Sequence, residues 1–534
     1  MISLILIIIE SNLRAIASSA VIEPEITKTI NIAEVGRISD SNRHEKEASL
    51  ENCPYQPKPL ATETETIPLV TLQVNNQPVF IKLRGSTVFK REQIINNDTI
   101  KQLIQPIERQ HLSDEQFRAI YREIVKAITQ LYLTEGYITS EAIFPPEPLI
   151  ITNEGVAEIP VSEGCLADIK VAGRERLNLS YVCSRIQLAV SNPLNIIKIE
   201  EQLRLLNSNP LLKNVKASLK DSGKLGLSSL TVSIQEAKSF TSNFNIDNYS
   251  PPSLGSERLG IGLSYGNVTG LGDKFSATYY LSTTGGVNLL DALYQVPLNS
   301  TEGTLQLRAT LNKTKITQSS LEQFDITGDQ QVYEINYRQP LTRTLRKEFS
   351  LSLGFRLQDG QTFGLNRAEL FGNSRTSTIY FGPDYISRDP RGFLLLRSQF
   401  NFGTGLFNPT IKSDSSPDGL FFSWFNQVQS VQQLDEDNLL IIQGDLQLTP
   451  DSLLPYYLFI IGGGQSVRGY RQNVRSGDNG FRFSIEDRIT VSRDQQGSSR
   501  LQIAPFLDIG KVWNSANNPQ RLPSQTFLVG VVLD

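Results

Sequence analysis

The chain has 534 residues, a formal net charge of -4 and a mean hydropathy of -0.20. This hydropathy and the lack of an internal run of about eighteen apolar residues exclude a protein that crosses a membrane with helices. The modest charge and the absence of a basic run exclude nucleic acid as a partner. The length is too great for one ordinary domain.

The amino-terminal segment 1–20 is predicted to be an export signal. Met1–Ile9 is apolar and Ala17–Ala20 offers small residues for cleavage, although the basic residues that usually precede such a stretch are missing. Residues 21–75 are polar, interrupted by prolines and without periodicity, which is typical of a linker. Within this linker, Ile26–Ile38 has the pattern of a short amphipathic helix that could act as a plug.

Two consecutive segments of similar length repeat the order strand, helix, helix, strand, strand. In 76–163, the strand Val79–Leu83 comes before a helix that opens with the capping-box pattern Ser113–Gln116. In 164–239, the strand Leu166–Val171 comes before two helices and two strands. Internal repetition of this kind is typical of a binding array.

From 240 to 534 the chain repeats a period-two alternation of apolar and polar residues. In 274–283, for example, one face of the strand suits lipid and the other suits water. About fourteen such segments follow one another without a helix, which predicts a membrane β-barrel. A soluble β-sandwich would show the same alternation with its faces inverted. The number of strands and the polar residues Arg308, Arg356 and Arg397 argue against it.

Two motifs late in the chain place a cation and a carboxylate within the predicted barrel. Gly462–Gly464 leads into a loop that carries Arg468, and Asp508 lies on the polar face of the following strand pattern. Consecutive glycines allow the loop to turn back into the pore, and an arginine can bind a carboxylate bidentately without losing its charge. We therefore expect Arg468 to bind Asp508; the alternative is a surface loop and a polar lumen without contact. The candidate site residues are Val467, Arg468, Gly469 and Tyr470 on the loop and Phe506, Asp508 and Gly510 on the strand.

The cysteines and histidines do not form a metal-binding pattern, so no metal and no cofactor is expected. Cys165 and Cys183 could form a disulfide in an oxidising compartment or remain unpaired, and Cys53 is the third cysteine. His44 and His111 lie outside the predicted barrel. A nucleophile-base constellation is therefore missing there, and the chain is not expected to be an enzyme.

The repeated modules and the two motifs together resemble the two-partner secretion transporters, the TpsB class of ShlB/FhaC/HecB type haemolysin secretion/activation proteins. The resemblance covers roughly 76–534. It implies two POTRA (polypeptide-transport-associated) domains, POTRA 1 at 76–163 and POTRA 2 at 164–239, ahead of a sixteen-stranded barrel at 240–534. Members of this family end on an aromatic residue, whereas this chain ends on Val531–Asp534. With about fourteen strands visible, this departure predicts that the last hairpin is missing.

The resemblance further implies a function for each part. The POTRA domains in the periplasm would capture an unfolded secreted exoprotein, a TpsA-like β-helical cargo, and the barrel in the outer-membrane bilayer would export it. Tyr137–Phe144 and Lys213–Leu219 are the candidate sheet edges for this capture. Gly266–Lys274 lacks the order of a phosphate-binding loop, so no nucleotide is expected and cargo folding would supply the energy. The alternatives are an outer-membrane assembly insertase of the same superfamily, a passive porin and a barrel enzyme.

Overall fold

The computed structural model describes residues 50–533, with gaps at 57–65, 108–109, 145–154, 225, 365–368, 413–416, 517 and 519–525. The predicted signal segment and the predicted plug helix lie outside the described residues. The chain forms two compact units, one within residues 29–237 and one within 238–534. Among the described helices, none combines the length and the apolar character needed to cross a membrane.

The amino-terminal unit combines short sheets with helices. Its strands are β1 (Glu51–Asn52), β2 (Thr66–Val74), β3 (Gln77–Arg84), β4 (His111–Leu112), β5 (Glu141–Ala142), β6 (Val156–Ser162), β7 (Cys165–Ala172), β8 (Leu212–Asp221) and β9 (Leu227–Glu236). Its helices are α1 (Arg91–Ile95), α2 (Asp98–Ile104), α3 (Asp114–Thr134), α4 (Leu179–Gln187) and α5 (Ile196–Asn207).

The first module packs α1–α3 against a sheet with the order β4-β2-β3-β6-β5. Its long helix α3 begins as predicted, because the Ser113 hydroxyl accepts from the Gln116 amide and the Gln116 side chain accepts from the Ser113 amide at 2.9 Å. The helix buries a stripe of side chains at helical spacing, which includes Phe117, Ile124 and Ile128. The capping box and the apolar stripe together fix the start and the buried face of this helix.

The structure differs from the predicted linker at two places. Residues 66–74 form β2, which pairs with β3 and buries Leu72 and Val74. Pro68 lies next to a register shift in this ladder, and the interruption hides the alternation of the strand in the sequence. Further upstream, β1 joins the second module as an added strand.

The second module packs α4 and α5 against a sheet with the order β1-β7-β9-β8. Its disulfide joins Cys53 to Cys183, so neither of the two alternatives left open by the sequence, a bridge between Cys165 and Cys183 or two unpaired cysteines, is correct. Cys183 faces the core from α4, and β1 brings Cys53 to the same place. Cys165 begins β7 as a buried free thiol that contacts the side chain of Asn192.

A buried carboxylate lies at the end of the first module, immediately before β7. Glu163 accepts from the amides of Thr87 and Val88 at 2.8 and 3.2 Å and from the Tyr132 hydroxyl at 2.8 Å. Nearby, the Ile196 amide at the start of α5 donates to the Gly136 carbonyl at the end of α3. The bonds of Glu163 lie within the first module, whereas the backbone bond between Ile196 and Gly136 connects the two modules.

The second unit is one antiparallel sheet plus a short hairpin. The sheet strands are β10 (Phe240–Asp247), β11 (Arg258–Gly266), β12 (Lys274–Ser282), β13 (Val287–Pro297), β14 (Thr304–Lys315), β15 (Thr327–Arg343), β16 (Lys347–Phe363), β17 (Glu369–Asp389), β18 (Gly392–Thr404), β19 (Phe422–Gln433), β20 (Asn438–Leu448), β23 (Asn479–Arg493), β24 (Ser499–Ile503), β25 (Pro505–Trp513) and β26 (Thr526–Leu533). The hairpin strands are β21 (Phe459–Ile461) and β22 (Arg475–Gly477). Neighbours in sequence pair with one another from β10 to β20, and the path continues through β23 and β25 to β26. Because β24 and β25 both pair with β23, the described residues form fourteen positions along the wall.

The two faces of this sheet have opposite polarity, with apolar side chains outside and polar side chains inside. A soluble β-sandwich has the reverse arrangement and is therefore excluded. Phe275, Leu307 and Leu353 lie exposed on the outer face. Ser350 and Asp508, by contrast, are fully buried on the inner face. An apolar exterior around a polar interior is the arrangement of a transmembrane barrel, so the predicted fold class is confirmed. The predicted loss of a last hairpin stays a prediction.

Ion pairs satisfy the arginines of the inner wall. The predicted lumenal residues Arg308, Arg356 and Arg397 all point inward, and each meets a carboxylate on an adjacent strand. The partners are Asp291, Glu334 and Asp384, at nitrogen-oxygen distances of 2.8, 2.6 and 2.6 Å respectively. A lumen lined in this way is highly polar but carries little unpaired charge on this wall.

Candidate functional site

A hairpin between β20 and β23 folds back into the barrel. Its strands β21 and β22 frame a tip that contains the predicted loop motif, Val467–Tyr470. Gly462 and Gly469 have φ values of 106° and 89°, in the left-handed region that favours glycine. The tip can therefore reverse direction before and after Arg468.

Arg468 binds Asp508 through both its backbone and its side chain. The Arg468 amide donates to Asp508 Oδ2 at 2.9 Å, and Nε and Nη2 donate to Oδ2 and Oδ1 at 2.7 and 2.8 Å. Asp508 is fully buried, whereas the Arg468 side chain keeps 26% of its exposure. The expected contact is thus present, in the bidentate form that only arginine can provide.

The wall supplies further partners for this ion pair. Ser484 lies opposite Asp508 on β23, and its hydroxyl donates to Asp508 Oδ1 at 2.7 Å. The guanidinium carbon of Arg468 lies 3.4 Å from the centre of the Phe506 ring, which is a cation-π contact. Phe506 therefore provides a packing surface for the pair.

Sequence reasoning missed one member of the cluster, Glu486. Its carboxylate forms an ion pair with Arg468 Nη1 and accepts from Arg488 Nε at 2.6 Å. Glu486 lies on β23 directly opposite Phe506. The alternation along β23 places Glu486 on the inner face, next to the strand that carries Asp508. Many other lumenal carboxylates have the same position in the alternation, so this pattern alone could not single out Glu486. We name the set Arg468, Ser484, Glu486, Phe506 and Asp508 the lumenal clamp.

Two glycines of the wall make room for the hairpin tip. A Cβ atom at Gly530 would lie 2.3 Å from the Arg468 carbonyl oxygen, and one at Gly510 would lie 2.9 Å from Val467 Cγ2. Gly469, by contrast, has open space around its Cβ position, so a side chain would fit there. Glycine is favoured at this position because of its positive φ value and not because of its small size. Close approach to the wall thus depends on Gly510, a residue of the predicted strand motif, and on Gly530, which sequence reasoning did not single out.

Val467 and Tyr470 flank Arg468 in different environments. Val467 is fully buried in an apolar cluster with Ile461 and Val512. Tyr470 is 38% exposed and donates from its hydroxyl to the Val529 carbonyl at 3.1 Å. Tyr470 therefore anchors the tip to β26.

The base of the hairpin has separate attachments to the wall. Tyr457 shares a hydrogen bond of 2.6 Å with Thr378 on β17, and Gln447 Nε2 on β20 donates to the Tyr457 carbonyl at 2.6 Å. At the tip, Arg482 on β23 donates to the Gln465 carbonyl. The same arginine forms an ion pair with Asp445 on β20. The hairpin is therefore held at its base and at its tip, where the lumenal clamp and Arg482 supply the charged contacts.

The candidate capture edges have different outcomes. Of Tyr137–Phe144, only Glu141–Ala142 is a strand; it ends its sheet beside β6, so an edge is present there but is two residues long among the described residues. The short extended segment follows a turn after Gly136 and lacks the length of a full strand. β8 covers Lys213–Leu219 and ends its sheet, with no further strand beside it among the described residues.

Metal binding has no support within the described part of the chain, where no cluster of three or more potential ligand side chains occurs. The polar groups of the lumenal clamp are instead satisfied by one another. The geometry is that of a positioned hairpin.

The comparisons with known proteins agree with this geometry. The model of the haemolysin secretion/activation protein ShlB/FhaC/HecB family matches residues 226–534, and the ShlB-type POTRA domain model matches residues 81–164. Among solved structures, CdiB from Escherichia coli superimposes with a TM-score of 0.64 at 20% identity, over 90% of this chain and 85% of that one. CdiB from Acinetobacter baumannii gives 0.58 at 18% identity, over 89% and 84%.

Two curated relatives match this chain over part of its length. The outer membrane transporter CdiB of Escherichia coli is 24% identical over 367 residues, which are 67% of this chain and 61% of that protein. The heme/hemopexin transporter protein HuxB of Haemophilus influenzae is 25% identical over 181 residues, which are 34% and 31% of the two chains. The chain therefore spans less than two thirds of the length of these relatives.

The fold and the infolded hairpin define an outer-membrane β-barrel that is preceded by periplasmic POTRA domains. Because the family model matches more than half of the chain, the protein belongs to the ShlB/FhaC/HecB family of haemolysin secretion/activation proteins. The barrel strands lie in the outer membrane, and the POTRA domains lie in the periplasm.

Proposed function

We propose that this protein exports a partner exoprotein across the outer membrane by two-partner secretion. The observation that carries the proposal is the hairpin held within the barrel by Arg468 and Asp508. A passive porin has no use for an ion-paired hairpin in its lumen or for periplasmic modules. The names of the relatives, an outer membrane transporter and a heme/hemopexin transporter, support the same class of function.

The two modules act as the capture device in this proposal. The first is POTRA 1 (76–163) and the second is POTRA 2 (164–239). An unfolded polypeptide can add to the outer edge of β8 through backbone hydrogen bonds, which tolerate many side chains. The terminal position of β8 in its sheet supports this step.

The barrel acts as the conduit. The hairpin fills part of the lumen at rest, and its side-chain attachments can be exchanged for contacts with a passing chain. The paired arginines of the wall, such as Arg308 with Asp291, present little unpaired charge to that chain. Folding of the cargo outside the cell supplies the driving force, and a TpsA-like β-helical exoprotein is a cargo that folds in this way.

The experiment is a secretion assay with a TpsA-like β-helical exoprotein as cargo, and a large secreted protein encoded beside this chain, where one is found, is the candidate to use. Both proteins are produced together in Escherichia coli, and the exoprotein is measured in the medium and on the cell surface. We expect its export to depend on this chain while the cell's own barrels assemble normally. Loss of many outer-membrane barrels on depletion of the chain from its native host would instead identify an assembly insertase.

A further inference from the structure

The second module carries a strand that is not part of its own repeat. β1 lies before the first module in sequence, yet it pairs antiparallel with β7, with Glu51 opposite Val171 and Asn52 opposite Lys170. The Cys53 amide continues the ladder by donating to the Ile169 carbonyl at 2.8 Å. The outer edge of β7 is therefore occupied by residues 51–53 of the same chain.

Side chains and backbone around β1 form a built attachment. Arg174 Nη2 donates to both carboxylate oxygens of Glu51 at 2.8 and 2.9 Å. The Gln187 side chain donates to the Pro54 carbonyl at 2.9 Å, and Tyr55 packs against the core of the module. These contacts hold both ends of the short segment.

The covalent bond is the strongest part of the attachment. Cys53 and Cys183 are both buried in the module core, and their bridge closes a loop across 130 residues of sequence. A ladder of so few residues would not stay in place alone, because its hydrogen bonds contribute little against the entropy of ordering the segment. The bridge removes most of that entropy, and the periplasm permits it.

We propose that β1 is a covalently latched edge strand, which closes the β7 edge of the second module and leaves β8 as the edge to which an extended polypeptide can add. Without the latch, the open β7 edge could bind the cargo in competition with β8, or it could pair with the same edge of another copy of the chain. The latch prevents both because β1 already occupies that edge. Exposed sheet edges invite such pairing. That the added polypeptide is the exported cargo rests on the proposed function. The closure of the β7 edge by β1 does not.

The remaining thiol does not compete for the bridge. Cys165 is buried at the start of β7, and burial, with a contribution from Glu163, raises its pKa. Thiol-disulfide exchange requires the thiolate, so this cysteine is a poor attacking group. Cys165→Ser is consequently a matched control, because it removes a cysteine from the same module and leaves the bridge intact.

The test is hydrogen exchange on the full-length protein in lipid nanodiscs. In Cys53→Ser/Cys183→Ser, we expect amides of 50–55 and of β7 to exchange at least about tenfold faster than in the parent, while β8 and α5 keep their protection. Cys165→Ser should match the parent. Unchanged exchange at β7 in the double variant would overturn the latch.

A second variant covers the case in which the double variant does not fold, seen as lost protection throughout the module. Arg174→Ala keeps the bridge and removes the ion pair to Glu51. We expect β7 to retain its protection there, since the bridge holds the strand. Opening of β7 in Arg174→Ala would show that the disulfide is not the latch.

Cross-linking to β-casein, an unfolded polypeptide, tests which edge accepts a strand. A photoreactive residue is placed at Ser218 on β8 or at Lys170 on β7. We expect cross-links from Ser218 in the parent, and from Lys170 only when the bridge is absent. Equal cross-linking from Lys170 in the parent would contradict the closed edge, whereas no cross-linking from Ser218 would count against strand addition and leave the exchange result standing.

Discussion

Arg468 donates to Asp508 from its backbone amide and from its guanidinium, so the carboxylate fixes both the path of the hairpin and the side chain that leads it. Asp508 receives these bonds while fully buried, with Ser484 on the neighbouring strand as a further donor. Removal of one partner leaves a desolvated polar group, which costs more than the pair itself contributes.

The two carboxylates that meet Arg468 are predicted to differ in importance. Asp508→Asn should weaken the hairpin attachment by about 2 to 3 kcal/mol, because it leaves a buried site with the wrong charge and one acceptor replaced by a donor. Glu486→Gln should cost about 1 kcal/mol or less, since Glu486 also binds Arg488 and lacks the backbone bond. Trypsin cleavage at Arg471 and Arg475 in intact cells measures the release of the hairpin. A larger effect of Glu486→Gln would contradict this order.

Arg468→Lys separates charge from shape. Lysine retains the positive charge but cannot reach Asp508, Glu486 and Ser484 at once, as the guanidinium does. We expect hairpin release and export to lie between those of the parent and of Arg468→Ala. The same tryptic assay and secretion assay measure both quantities. Export equal to the parent would mean that charge alone is sufficient.

Gly530→Ala tests the close approach of the hairpin to β26. The added methyl group would lie 2.3 Å from the Arg468 carbonyl oxygen, so the tip must move, at a cost of about 1 to 3 kcal/mol. Gly405→Ala is the control, because its Cβ position has no atom within 4 Å. We expect increased tryptic cleavage of the hairpin in the first variant alone. Equal cleavage in both would place the tip farther from the wall.

Glu163→Gln tests the support at the end of the first module. The substitution leaves an amide oxygen to accept from the Thr87 and Val88 amides and the Tyr132 hydroxyl, but it removes the charge that strengthens these bonds. It also places an NH2 group where Oε2 accepts from the Thr87 hydroxyl, so it should cost about 1 to 3 kcal/mol of stability. The urea concentration at which residues 50–237 of the full chain become protease-sensitive should fall. Glu158→Gln, whose side chain is 37% exposed and pairs with Arg84, should leave it almost unchanged. A comparable fall in both would show that burial of Glu163 is not the cause.

The alternation of residues carried most of the fold prediction. Period two along β12, β14 and β16 predicts which side chains face lipid, and the structure exposes Phe275 and Leu307 accordingly. The same parity places Asp508 on the inner face. The sequence did not identify Glu486, because the alternation places many carboxylates on the lumenal face in the same way. Which of them meets Arg468 depends on the path of the hairpin, which the sequence pattern does not give.

The segment before the first module shows the limit of such patterns. β1 is only two residues long, and its partner lies far away in sequence, so no local periodicity marks it. The pairing of Cys53 with Cys183 depends on that distant contact, and the spacing of the cysteines does not reveal it. In β2, Pro68 interrupts the alternation, so a strand resembled a linker.

The most direct test of the account is export by the full-length Arg468→Ala protein, compared with Arg488→Ala. Both variants remove an arginine that binds Glu486, but Arg468 alone belongs to the hairpin. Barrel insertion is checked by the shift in gel mobility on heating, and secreted exoprotein is measured in the medium. The account predicts that both proteins insert, that Arg488→Ala exports normally and that Arg468→Ala exports at most about one tenth of the parent amount, in line with the loss of a partly buried ion pair. Normal export by inserted Arg468→Ala would contradict it.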